Sequence, residues 1–125
     1  MLDKAKILIV EDNSLIADEI ALCVEDADGL VVGPFATVAE ALLTLSEVEV
    51  DAAILDGILL DRDITPVAIR LKSAEVPILI YSGSGAPEEL DALYPNIPAI
   101  LKPAKVKIVV DLVALLIELK AQWAA

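Results

Sequence analysis

Short apolar runs alternate along the whole chain with segments of helical periodicity. Five apolar runs predict buried β-strands, and each is followed by residues whose apolar positions recur every three or four places. The predicted strands are Lys6–Val10, Leu30–Val32, Ala52–Leu55, Pro77–Tyr81 and Ala99–Leu101. The predicted helices run from after Asp12 to Asp28-Gly29, from the capping box Thr37–Glu40 to about Glu47, over Thr65–Ser73, over Pro87–Leu93, and from Lys105 to Trp123. This alternation favours an α/β fold with a parallel sheet.

Charged and polar residues stand where four of the predicted strands end. The first strand leads into Glu11 and Asp12, the third into Asp56, the fourth into Ser82 and the fifth into Lys102. Parallel strands point the same way, so the residues after their carboxyl ends gather in one crevice even when they are far apart in sequence. We therefore expect three carboxylates, one hydroxyl and one ammonium group to lie together.

Size and charge narrow the classes of function. The 125 residues fit one domain, which we expect to span residues 1–125 without an attached output domain. The net charge is -12, from 21 acidic against 9 basic residues. This charge argues against direct contact with the phosphate backbone of nucleic acid, so partners are expected to be proteins.

The sequence also bears on the location of the protein. Cys23 is the single cysteine and lies on an apolar helical stripe, which indicates an inert, buried thiol in a reducing cytoplasm. The first residues do not resemble a signal peptide. The most apolar segment, 106–119, is interrupted by charges and is shorter than the roughly 20 residues that cross a bilayer, so we expect no membrane insertion.

The last helix is more apolar than one contact requires. One stripe comprises Val106, Val109, Val110, Val113, Leu116 and Ile117, and a second comprises Ile108, Leu112, Leu115 and Leu119. We expect the first stripe to cover the sheet. The second either packs on a neighbouring helix or forms a partner surface, and we favour a symmetric homodimer through this helix.

The expected cluster has the chemistry of a phosphoryl-accepting site. Carboxylates of Glu11, Asp12 and Asp56 are the oxygen ligands that Mg²⁺ prefers, and Mn²⁺ is expected to substitute. Asp56 stands alone at its strand end and is the candidate nucleophile. Ser82 would donate a hydrogen bond to a phosphoryl oxygen, and Lys102 would neutralise its charge.

Two other interpretations start from the same residues. Glu11 with Asp61 and Asp63 could form the split metal site of a Toprim-like nucleotidyl-transfer enzyme, although such enzymes act on nucleic acid. A nucleotide- or flavin-binding domain would need a phosphate loop after the first strand, where Glu11-Asp12-Asn13-Ser14 repels phosphate. A third alternative is a phosphorylation-independent binding module of the same fold.

Several segments resemble the receiver domain of bacterial response regulators. They are Ile7–Asn13, Asp51–Asp56, Tyr81–Gly83 and Lys102-Pro103, and Gly33–Leu42 is similar to stand-alone receivers of alphaproteobacteria. The resemblance implies a doubly wound, flavodoxin-like sheet with strand order 2-1-3-4-5 and five helices. It also implies a phosphoryl group taken by Asp56 from a histidine kinase or histidine phosphotransfer protein, with the backbone carbonyl of Ile58 completing the metal ligands. A downstream protein would read the change, so the domain is expected to signal rather than to turn over substrate.

Some positions differ from the usual pattern of that family. Ala99 stands where many receivers have an aromatic residue that rotates inward, so that coupling is not expected here. Leu59-Leu60 replaces a common Met-Pro, and Ile58 places an apolar side chain beside the expected phosphoryl group. Tyr81 is expected to point away from Ser82, into the core.

Overall fold

The computed structural model describes residues 1–124, and it confirms the predicted alternation of strands and helices. The strands are β1 (Lys6–Val10), β2 (Leu30–Phe35), β3 (Ala52–Leu55), β4 (Ile78–Ser82) and β5 (Ala99–Leu101). The helices are α1 (Ser14–Asp26), α2 (Val38–Leu45), α3 (Thr65–Ser73), α4 (Glu88–Leu93) and α5 (Val106–Ala124). All neighbouring strands pair in parallel in the order β2-β1-β3-β4-β5, as the resemblance implied.

The three central strands, β1, β3 and β4, bury both of their faces, because successive side chains point to opposite sides of a sheet that helices cover on both sides. The edge strands β2 and β5 were predicted to be buried too, but they are half-buried to exposed because each has a neighbour on one side only. Leu8 and Val10 of β1 pack in a core with residues of α2 and α3, whereas Ile7 and Ile9 pack in a second core with residues of α1 and α5. This two-layer covering explains why the central strands are continuous apolar runs. It leaves the strand ends as the places where polar side chains can collect.

The second strand is longer than predicted. The predicted strand ends at Val32, but β2 continues through Gly33-Pro34 to Phe35 with a shift of register against β1. Gly33 has a φ of +106°, and a Cβ atom there would lie 2.9 Å from the carbonyl oxygen of Ile9, so the bulge requires glycine. Pro34 is tolerated because β2 is an edge strand.

Side chains cap the starts of α1 and α2. The side chain of Asn13 accepts hydrogen bonds from the backbone N–H groups of Leu15 and Ile16 at the start of α1. The Oγ1 atom of Thr37 accepts from the N–H of Glu40, as the capping box predicted, and α2 ends at Leu45, two residues early. Within residues 1–124, no helix is both long and apolar enough to cross a membrane.

The two stripes of α5 have different environments. Val106, Val109, Val110 and Val113 are buried against the sheet, as predicted, whereas Leu116 and Ile117 of the same stripe are half-buried. In the second stripe Leu112 is half-buried, whereas Ile108, Leu115 and Leu119 are 54%, 46% and 41% exposed. The second stripe is therefore only partly covered within the domain.

Candidate functional site

The carboxyl ends of the central strands bring the predicted residues together. Glu11 follows β1, Asp56 follows the adjacent β3, and Ser82 is the last residue of β4. One carboxylate oxygen from each of Glu11, Asp12 and Asp56 lies within 4.8 Å of the others. The expected acidic cluster is thus present, with Glu11 and Asp56 buried and Asp12 at its more open side.

Lys102 places its ammonium group between the two buried carboxylates. Its Nζ atom lies 2.7 Å from Oε1 of Glu11 and 3.1 Å from Oδ2 of Asp56. The predicted lysine therefore reaches the cluster from β5 across the width of two strands. A charge-assisted pair of this length in a partly buried site is stronger than a surface ion pair.

The second oxygen of each of these carboxylates accepts a backbone hydrogen bond. Oε2 of Glu11 accepts from the N–H of Asn13 at 3.1 Å, and Oδ1 of Asp56 accepts from the N–H of Gly57 at 2.7 Å. Both carboxylates are therefore held in one orientation by bonds at each end. Each oxygen retains a lone pair for a further ligand.

For both Glu11 and Lys102, burial and hydrogen bonding have opposing effects on the pKa, and the net effect is to raise it. Burial raises the pKa of Glu11 to about 7, against the lowering effect of the bonds from Lys102 and Asn13. Burial of the ammonium opposes its charge, but the bonds to Glu11 and Asp56 outweigh that effect and raise the pKa of Lys102. Lys102 is consequently charged at neutral pH, as its predicted role requires.

Ser82 lies beside the segment that carries Asp56. A Cβ atom added at Gly57 would be 3.0 Å from Oγ of Ser82 and 2.9 Å from the carbonyl oxygen of Gly85. The backbone therefore passes close to the hydroxyl, and only glycine permits that approach. The Oγ atom of Ser82 accepts one bond, at 3.4 Å, from the N–H of Ser84, which leaves its own proton available to a ligand.

The donor set fits a hard divalent cation. Three carboxylates at this spacing match the preference of Mg²⁺ for one or two carboxylates with additional oxygen ligands. Within residues 1–124, no hydrogen bond is made to the carbonyl oxygen of Ile58, the fourth ligand that the resemblance implied. The side chain of Ile58 is mostly exposed, so it adds an apolar rim to the site rather than filling it.

The two acids of the alternative metal site lie at helix starts instead. Asp61 accepts bonds from the N–H groups of Val38 and Ala39 at 2.8 and 3.0 Å, and these bonds lower its pKa. Asp63 accepts from the N–H of Thr65, at the start of α3. Asp61 therefore caps α2, and Asp63 bonds to the first residue of α3. These bonds disfavour the Toprim-like interpretation.

Two solved structures similar to this chain share both its fold and its length. SdrG from Sphingomonas melonis Fr1 is 36% identical with a TM-score of 0.74, covering 93% of this chain and 99% of SdrG. The chain belongs to the receiver-domain family of response regulators. The signal receiver domain of a modulated diguanylate cyclase from Desulfovibrio desulfuricans G20 is 25% identical, with a TM-score of 0.80 and coverage of 96% and 98%.

A longer response regulator contains a similar domain. PhyR from Brucella abortus is 25% identical with a TM-score of 0.79, and the match covers 96% of this receiver domain but 50% of PhyR. The chain thus spans half the length of that protein. Searches against protein-family models and against curated proteins gave no match.

Sequence reasoning missed two features of this receiver domain. It did not single out Gly57, whose position directly after Asp56 was the available signal. It assigned Tyr81 to the core, which the structure confirms, but it did not foresee that the tyrosine hydroxyl bonds to the backbone of Ala104. Cys23 was predicted to be buried but is only half-buried, and burial and neighbouring acids, chiefly Glu19, raise its pKa.

Proposed function

We propose that this receiver domain accepts a phosphoryl group on Asp56 from a histidine kinase or a histidine phosphotransfer protein. The observation that carries the proposal is the position of Lys102, whose ammonium joins Glu11 and Asp56 at the carboxyl end of the sheet. Ser82 and Asp12 border the same crevice. A nucleophilic carboxylate, a cation and a hydroxyl donor are what phosphoryl transfer to a side chain needs.

The transfer can be written from the residues in the crevice. An Asp56 carboxylate oxygen attacks phosphorus, the P–O bond forms as the P–N bond to the donor imidazole breaks, and the ring nitrogen leaves with the electron pair. Lys102 moves its hydrogen bond from Asp56 to a phosphoryl oxygen, and Ser82 donates to another. Glu11, Asp12, Asp56 and the Ile58 carbonyl would hold Mg²⁺, which supplies positive charge to the phosphoryl oxygens; Mn²⁺ is the expected substitute.

The output we propose is contact with a downstream protein in the cytoplasm. Phosphorylation adds about -1.5 to -2 charges to a crevice already rich in carboxylates, which alters the bonds that Lys102 and Ser82 make. The net charge of -12 disfavours nucleic acid as the direct target. Ala99 lies on the exposed edge strand β5, so the signal must travel without an aromatic residue there.

We also propose that a second copy covers the exposed stripe of α5. Ile108, Leu115 and Leu119 are all more than two-fifths exposed on one helix. Exposed apolar side chains that share a helix face are typical of a contact between proteins.

The first test is the mass of the intact protein after incubation with Mg²⁺ and acetyl phosphate. We expect one phosphoryl adduct on the wild type, none on Asp56→Asn and none after chelation of the metal. Asp18→Asn changes an exposed acid of α1 in the same way and serves as the matched control. It should label like the wild type.

The opposite result would redirect the function. If the wild type binds Mg²⁺ but takes no adduct, phosphoryl transfer is wrong and the phosphorylation-independent binding module is favoured. If Mg²⁺ affinity survives the loss of Asp12 and Asp56 but not that of Asp61 and Asp63, the Toprim-like enzyme is favoured instead. Either result would exclude phosphoryl transfer to Asp56, so transfer from a phosphorylated histidine kinase would not need to be tested.

A further inference from the structure

The hydroxyl group of Tyr81 forms hydrogen bonds with both the N–H and the carbonyl group of Ala104, a contact that we call the clasp. Tyr81 is 4% exposed in β4, and its Oη atom donates to the carbonyl oxygen of Ala104 at 3.0 Å and accepts from the N–H of Ala104 at 3.2 Å. A phenol can do both at once because it has one donor and two lone pairs. The ring belongs to the core beneath α1 and α5, so the hydroxyl is held in place by packing.

This clasp fixes the segment that carries Lys102. The backbone N–H of Lys102 donates to the carbonyl oxygen of Ser82 at 2.9 Å, and Ala104 is bound by the adjacent Tyr81. Two consecutive residues of β4 therefore hold the chain on either side of Pro103. The support is needed because β5 has only three residues and two of them are exposed.

The ring also contacts the charge on Lys102. The Nζ atom lies 5.6 Å from the centroid of the Tyr81 ring, within the range of a cation–π interaction. The same ammonium is 2.7 Å from Glu11. One tyrosine thus acts on the lysine twice, through the backbone of its loop and through the face of its ring.

We propose that Tyr81 is a positioning residue that holds Lys102 over the carboxylates of Glu11 and Asp56. The inference rests on the proposed function, because it assigns Lys102 to the phosphoryl group. Lys102 and a divalent cation use oxygens of the same two carboxylates, so a firmly held lysine opposes binding of the cation while it aids transfer.

The opposing effects give a test that loss of structure cannot imitate. In Tyr81→Phe the ring remains but the clasp on Ala104 is lost, which frees Lys102 to leave the carboxylates. Loss of about one net hydrogen bond changes an equilibrium constant by a factor of roughly 3 to 10. We expect the affinity for Mg²⁺, measured by calorimetry, to rise by about threefold or more. Phosphorylation by acetyl phosphate at saturating Mg²⁺ should slow by a similar factor.

Tyr94→Phe is the matched control. Tyr94 is half-buried, its ring faces Lys72, and within the described residues its hydroxyl makes no hydrogen bond. This variant loses the same atom and should leave both quantities unchanged. Tyr81→Leu also removes the ring and should shift both quantities further in the directions seen for Tyr81→Phe.

The outcomes separate the inference from the proposed function. Weaker Mg²⁺ binding together with slower transfer, or wild-type values for both, would overturn the positioning role. A wild type that takes no phosphoryl group refutes the proposed function, while the Mg²⁺ titration still decides the role of Tyr81. Hydrogen exchange gives a check on the wild type itself: the N–H of Ala104 should be protected, and free exchange there would refute the clasp.

Discussion

The ammonium of Lys102 lies 2.7 Å from Oε1 of Glu11, although the two residues are 91 positions apart in the sequence. Glu11 is almost fully buried, and the same lysine also bonds to Asp56 at 3.1 Å. One cation therefore compensates two carboxylates that would otherwise repel each other. The stability of the free protein and its metal binding are linked through this one side chain.

Replacement of Lys102 by methionine should destabilise the metal-free protein and favour the metal. Two buried carboxylates would lose their partner, at a cost of about 2 kcal/mol in the free energy of unfolding, less than the ~3–5 kcal/mol of a fully buried pair because the lysine is partly exposed. Saturating Mg²⁺ should restore most of the loss. Urea denaturation with and without Mg²⁺ measures both effects.

Lys107→Met is the control for that experiment. Lys107 pairs with Asp111 at 2.8 Å on the exposed face of α5, away from the crevice. Its loss should change neither stability nor the response to Mg²⁺ by a resolvable amount. Equal destabilisation of the two variants would show that the Lys102 pair has no special role.

Gly57→Ala should disturb the crevice although it adds only one methyl group. The new Cβ atom would meet the carbonyl oxygen of Gly85 at 2.9 Å, and a backbone atom cannot move aside cheaply. We expect a loss of about 1–3 kcal/mol in the free energy of unfolding, as for other overpacked sites, and slower labelling of Asp56. Denaturation and intact-mass measurements would detect the two effects.

Gly83→Ala provides the comparison, since a Cβ atom there meets no other atom within 4 Å. That variant should be as stable as the wild type. If both alanine variants behave alike, the close approach at Gly57 is not a constraint on the site.

Asp61 should control the start of α2 in a pH-dependent way. Its pKa is lowered mainly by the N–H of Val38 and also by that of Ala39, so Asp61 accepts these two hydrogen bonds best when it is ionised. The contact is then complete above the ordinary pKa of aspartate and is lost as the pH falls through the lowered value. In Asp61→Ala, the amides of Val38 and Ala39 should exchange at their intrinsic rates, without protection, at every pH.

Thr37→Ala tests the same helix end from the other side. Thr37 accepts from the N–H of Glu40 only, so its loss should expose that amide and leave Val38 and Ala39 protected. Retained protection of Val38 and Ala39 in Asp61→Ala would contradict the cap.

The exposed stripe of α5 should form a homodimer. Light scattering at tens of micromolar should give twice the monomer mass, and Leu115→Gln should return it to the monomer mass. Leu43→Gln, at a more exposed leucine on α2, should leave the dimer intact. Monomer mass for the wild type at that concentration would refute the dimer.

The site was predictable to the extent that strand ends determine it. Glu11, Asp56 and Lys102 follow apolar runs, and once those runs are parallel strands the charged residues must share an edge of the sheet. Asp61 was not predictable, because its carboxylate caps a helix that begins 23 positions earlier in the chain. No local pattern encodes such a contact.

The sequence by itself determined the alternation of strands and helices, the burial of the central strands and the set of polar residues at the strand ends, since these follow from periodicity and local capping. The tertiary structure decided which groups touch: Lys102 with Glu11, Tyr81 with Ala104, Gly57 with Gly85. It also decided that β2 continues through Gly33-Pro34, where pairing with β1 outweighs the local preference for a break. Contacts of that kind depend on the packing of distant segments, which balances free energies that no single segment contains.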